Sequence, residues 1–154
     1  MKHIEVLTQT ILPKSLHGIN PRTIMGQAKW DKIKKAKLLE ADHHCMACDE
    51  YVPHVAGNYL ECHEVYTIDL EKKEFQLADI VCLCKRCHEY IHRARLKRLV
   101  AEGVITQEYY DSVIERGNAL LHANNLVKND LPKNEINNPD WYLLYEGKKY
   151  SNNL

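Results

Sequence analysis

No run in this 154-residue chain approaches the roughly 18 consecutive apolar residues of a membrane-spanning helix. The opening MKHIEVLTQT has no apolar core of a secretory signal either. The expectation is a cytoplasmic protein with no membrane partner. Internal repeats and low-complexity tracts are also missing, which excludes repeat architectures. A surplus of one charge sign is missing too: 21 Lys and Arg balance 21 Asp and Glu, so no chain-wide field draws the protein to a polyanion. Hydrophobic residues make up 45% and charged residues 27%, the balance of a soluble globular chain. Its length suits one compact domain, or a small metal-stapled module with extensions.

The zero net charge averages over uneven segments. Residues 85–98 carry Lys85, Arg86, Arg93, Arg95, Lys97 and Arg98 against Glu89 alone, and residues 29–37 carry five lysines against one aspartate. Local stripes of this kind can bind phosphate in a neutral chain, although a lysine run is more commonly a solvated face.

Three segments follow from the pattern. Residues 1–41 read as an irregular arm punctuated by Pro13, Gly18 and Pro21, then an amphipathic helix from Arg22 to about Ala41. Residues 42–102 hold a turn at HCMACDEY, the two β-rich runs YLECHEVYTIDL and EFQLADIV joined by the charged turn EKKE, and a helix from KRCHEYIH to a stop at Gly103. Residues 103–154 give a helix that Thr106 can cap, a polar linker, and a final hairpin in WYLLYEGKKY turning at Glu146 and Gly147. The aromatic residues of this tail are expected to pack on the core. The order strand, strand, helix makes the class α+β, with flanking helices and a small C-terminal β-hairpin.

Six cysteines with no export signal argue for reduced thiols. Cys45 with Cys48 and Cys84 with Cys87 form two CxxC turns. Each turn presents two sulfurs, and two turns complete the tetrahedral shell of a structural zinc with no open position. Cys62 and Cys82 lack such partners and read as small buried hydrophobes. His88 and His92 stand at i and i+4, so a helix points both imidazoles from one face. His63 on the preceding hairpin can supply a third ligand. Three imidazoles leave coordination positions open, as hydrolysis by a metal requires. His43, His44 and His54 stay unassigned.

LECHEVY followed by ADIVCLCKRCHEYIH resembles the HNH endonuclease superfamily over about residues 40–95, and is similar to its phage and prophage members. The resemblance implies a zinc-stabilised ββα-metal core and a metal-dependent nuclease. It places His63, His88 and His92 on the catalytic metal, Glu64 where the family has its general-base histidine, and Asp79 at the middle asparagine. Glu64 can accept a proton, but a carboxylate is a weaker base than imidazole, and Asp79 loses the amide donor. An alignment slipped by one residue instead makes His63 the base and Cys62 the inner ligand. Slipping reverses the face of every side chain, so only one register holds. The unslipped one keeps the Leu60 and Glu61 lead-in.

The leading expectation is hydrolysis of phosphodiester bonds, in DNA foremost, with Mg2+, Mn2+, Ni2+ or Zn2+ on the three histidines and Glu64 or His63 activating water. Arg93, Arg95 and Lys97 are expected to contact flanking phosphates, with Arg22 reaching in from the arm. One alternative is a catalytically impaired zinc module that binds nucleic acid or a partner protein, or self-associates. Another is a closed second zinc site completed by Glu61, Glu64 or Cys62.

Overall fold

The computed structural model describes residues 3–153; Met1 and Lys2 of the N-terminal arm lie outside that range. Helices α1 (Pro21–Met25) and α2 (Gln27–Ala41) precede the hairpin of β1 (Glu61–Asp69) and β2 (Glu74–Leu83). Helices α3 (Lys85–Ile91), α4 (Arg93–Ala101), α5 (Gln107–Ala123) and α6 (Lys133–Ile136) follow, and strands β3 (Tyr142–Tyr145) and β4 (Lys148–Tyr150) close the chain. The class is α+β. Among the described residues no helix is long and apolar enough to cross a membrane.

The helix expected from Arg22 to Ala41 is two helices. Asn20 caps the first, its Oδ1 accepting from the Thr23 amide at 2.9 Å with Pro21 in the first turn. Gly26 then takes φ 88°, a value glycine reaches without the Cβ clash, and α2 restarts. Only Trp30 and Ala41 of α2 are buried, so its lysines form a wet surface.

β1 and β2 pair antiparallel, and the register jumps between Val65 and Tyr66 because Ala78 has no partner. This bulge has a packing consequence. Before it, Val81 sits opposite His63; beyond it, Phe75 sits opposite Ile68. Odd-numbered residues of β2 therefore change face along the strand, and one hairpin serves two cores. The first core joins Leu7, Val81, Leu83, Tyr90, Leu96, Val113 and Leu121. The second joins Leu16, Phe75, Trp141 and Leu143. Both cores cross the segment limits drawn at residues 41 and 103. Leu7 and Leu16 bring the arm inward, and Trp141 brings in the tail.

The C-terminal hairpin turns as expected, with Glu146 at φ 49° and Gly147 at φ 78°, the paired left-handed residues of a type I′ turn. It also extends the main sheet, β3 lying parallel to β2 in the order β1-β2-β3-β4. Trp141 is fully buried with its ring 5.3 Å from that of Phe75.

The helix read as continuous from Lys85 to Gly103 is broken at His92 (φ −90°, ψ 38°). Arg93 turns inward there. Its guanidinium donates to the Tyr90 and Ile91 carbonyls, both at 3.4 Å, and satisfies acceptors that the break would otherwise strand. Thr106 caps α5 as expected, its Oγ1 accepting from the Tyr109 amide at 3.1 Å.

Candidate metal centres

The loop after α2 reverses through left-handed residues Asp42 and His43. It is pinned by the Cys45 amide donating to the Glu50 carbonyl at 2.9 Å and the Asp49 amide donating to the Cys45 carbonyl at 2.8 Å. That turn points Cys45 and Cys48 at the start of α3. There Cys84 stands at the N-cap, its sulfur accepting from the Cys87 amide at 3.5 Å. The four sulfurs lie within 4.8 Å of one another, and all four residues are free cysteines. They form a set able to hold a metal ion.

Arg116 of α5 completes this centre, and no feature of the sequence marks it. Its guanidinium donates to Cys48 Sγ at 3.1 Å and to Cys87 Sγ at 3.4 Å. A cation against the sulfurs suits thiolates rather than thiols. Hydrogen bonds from Cys45, Cys84 and Cys87 hold the Cys48 thiol well below the ordinary range.

The second centre lies between β1 and α3. His63, His88 and His92 each bring a ring nitrogen within 4.8 Å of the others. Ring centroids stand 5.3 Å apart for His63 and His88, 5.0 Å for His63 and His92, and 4.7 Å for His88 and His92. The i, i+4 spacing survives the helix break, because the His92 amide still donates to the His88 carbonyl at 3.1 Å.

Two further side chains orient the rings. Glu61 Oε2 accepts from His88 Nδ1 at 2.7 Å, which fixes the tautomer and leaves Nε2 for a metal. In return His88 holds the Glu61 carboxyl below its usual range. Gln9, from the arm, brings its Nε2 to 3.1 Å from His63 Nε2 while its Oε1 accepts from the Tyr66 amide at 3.3 Å. His63 is 2% exposed, and its Nδ1 is buried with no hydrogen-bond partner. A buried ring nitrogen without a protein partner, beside two more imidazoles, fits a set of residues able to hold a metal ion. Burial, then the neighbouring His92 and His88, push the His63 pKa well down. Burial and His88 push that of His92 to about 4. At neutral pH His63 and His92 are therefore uncharged, the form a metal needs.

The remaining candidates are placed as follows. Cys62 faces Cys82 across the hairpin, the sulfurs 3.4 Å apart, on the side of β1 opposite His63. The slipped register, with Cys62 as inner ligand, does not hold. Glu64 shares the Cys62 face and is not brought to the three histidines. Asp79 lies within β2, its carboxylate bonded to the Ile80 amide at 2.8 Å and to Lys37 Nζ at 2.9 Å.

Arg93 is a correction. It is 8% exposed, ion-paired to Asp130 and bonded to backbone carbonyls, so it is turned into the fold and not displayed to a flanking phosphate. Arg95 and Lys97 on α4 are exposed. Arg22 lies over the Trp30 ring, 5.6 Å from its centroid. His43 and His44 pack on Tyr51, and His54 packs on Tyr59.

No family model matches this sequence, and no curated protein or solved structure matches it either.

Proposed function

We propose that the chain is a metal-dependent nuclease of the HNH type, with a ββα-metal core that hydrolyses phosphodiester bonds, in DNA foremost. The observation carrying this reading is the gathering of His63, His88 and His92 at the junction of hairpin and helix, with Glu61 behind His88. A structural zinc on the four cysteines fits the same reading. Thiolates at ~2.3 Å around a tetrahedral zinc stand ~3.8 Å apart, and Cys48 and Cys84 Sγ are 3.8 Å apart. That centre ties the first turn to the start of α3 and so fixes the helix that presents His88 and His92.

When bound at the histidines, a divalent cation supplies charge stabilisation to the scissile phosphate and its leaving oxygen. The chain's residues do the rest. Three imidazoles hold the site, and Glu61 keeps His88 Nε2 aimed inward. Arg95 and Lys97, exposed on α4, are placed to meet flanking phosphates. Glu64 takes the base role only by reaching around β1, the outer strand of the sheet.

Its placement favours a second reading, a catalytically impaired module of the same fold that binds nucleic acid or a partner. Incubation of supercoiled plasmid with Mg2+, Mn2+, Ni2+ or Zn2+ decides between them. Nicking that is lost in His63→Ala supports the nuclease. Intact plasmid under every metal, with retained binding, supports the module. Nicking that survives in Glu64→Ala removes Glu64 from the chemistry.

A further inference from the structure

We propose that a groove on the far side of the hairpin from the histidines docks an acidic, amphipathic helical segment of a partner protein. The groove is a cavity of about 420 Å³ between α2 and the first CxxC turn. Leu38, Leu39, Val52 and Leu60 form its floor, and Lys34, Lys35, His43 and His54 stand around the rim with Asp31. Leu60 is in phase with Cys62 and out of phase with His63. An occupant therefore leaves the histidine centre open, and the inference stands independently of the nuclease reading.

Four of the seven exposed large hydrophobic residues among the described residues lie in or beside this groove, and Leu70, Val104 and Val127 lie elsewhere. Leu39 is 74% exposed within the groove. Tyr51, 61% exposed, stacks on rim residue His43, and Tyr59, 49% exposed, stacks on rim residue His54. Val55, also exposed, adjoins His54. A contiguous apolar patch with a polar rim marks an interaction surface.

Charge then selects the occupant. Lys29 pairs with Glu146 and Lys37 with Asp79, whereas exposed Lys34 and Lys35 have no ion-pair partner among the described residues. The acid of the rim, Asp31, accepts from Gln27 Nε2 at 2.7 Å. Two lysines against one aspartate leave the rim net positive above an aliphatic floor. Tyr51 and Tyr59 stand outside the groove's lining, and its floor is aliphatic; a leucine and valine floor suits the apolar stripe of a helix. Leucine or isoleucine anchors at i and i+4 would fill the floor, and flanking carboxylates would reach Lys34 and Lys35.

The test is selection from a displayed library of random peptides of about 15 residues, some four helical turns, on the full-length metal-loaded protein. Expected enrichment is for acidic sequences with apolar residues at i and i+4. The consensus peptide should lose about tenfold or more in affinity to Leu39→Asp and to the Lys34→Glu, Lys35→Glu double variant. All three positions are exposed, so the variants keep the fold. A peptide with its acids changed to lysine should regain affinity for the double variant. Basic or patternless enrichment, no enrichment, or indifference to the substitutions overturns the proposal. Two further outcomes also overturn it: an oligo(dT) strand whose binding depends on Leu39 makes the groove a nucleic-acid surface, and a dimer dissolved by Leu39→Asp makes it a self-association face.

Discussion

Glu61 Oε2 accepts from His88 Nδ1 at 2.7 Å, so a carboxylate on β1 sets the ring orientation of a histidine on α3. Carboxylate and imidazole together form the supporting pair common behind metal-bound histidines. Removing the acceptor in Glu61→Ala is expected to weaken metal binding at the histidines about 10- to 100-fold. Glu61→Gln should lose less, because the amide oxygen still accepts. Titration with Co2+, followed by its visible absorption, checks this. The far-ultraviolet circular dichroism should match wild type.

The four-cysteine centre joins the loop after α2 to α3, and Arg116 joins it to α5. Metal binding at such centres contributes roughly 10–16 kcal/mol to folding, more than a domain of this size has in reserve. Extraction of the metal with a strong chelator should therefore unfold the hairpin end, seen as loss of circular dichroism. Arg116→Ala, which removes two charge-assisted hydrogen bonds, should cost on the order of 2–3 kcal/mol in denaturant melts.

Acid should destabilise the protein through the histidines. Burial holds the folded pKa values of His63 and His92 below the ordinary histidine range, His92 at about 4. The unfolded chain, with histidines near ~6.5, binds more protons across that window, so stability rises with pH there. It should be fully present above about 6.5 and fall progressively as pH drops towards 4. Urea midpoints measured across this range check it. The slope should shrink in His63→Gln, which removes the most buried of these groups.

Gly117 in α5 carries the opposite side of the core. A Cβ at this position would stand 2.1 Å from the Tyr90 ring, whose hydroxyl donates to Asn118 at 2.8 Å. Gly117→Ala gains roughly 1 kcal/mol of helix propensity but overpacks the core, at a cost of about 1–3 kcal/mol or more. The net effect in thermal melts should be destabilising, and Gly117→Ala with Tyr90→Leu should recover part of it.

Much of this arrangement was legible in residue spacing. CxxC pairs, the His88 and His92 interval, the hairpin, the Thr106 cap and the Glu146-Gly147 turn are local signals, each set by a few neighbouring residues. What escaped reading depends on contacts distant in the chain. Gln9 reaches His63 across 54 positions and Arg116 reaches Cys48 across 68. Arg93 looked like part of a basic stripe, but the break at His92 turns it onto Asp130. The bulge at Ala78 has no glycine or proline to announce it. The face occupied by Glu64 follows from strand alternation once His63 points inward, the position beside an inward residue always lying on the other side of the pleat.

The proposed nuclease activity depends on a metal held by His63, His88 and His92. Plasmid nicking by His92→Ala, beside wild type at equal metal and protein concentration, tests it most directly. Nicking by wild type is expected, with a loss of about a hundredfold or more in a variant whose melting transition is intact. Equal nicking by both proteins, or none by wild type under any divalent metal, would contradict it.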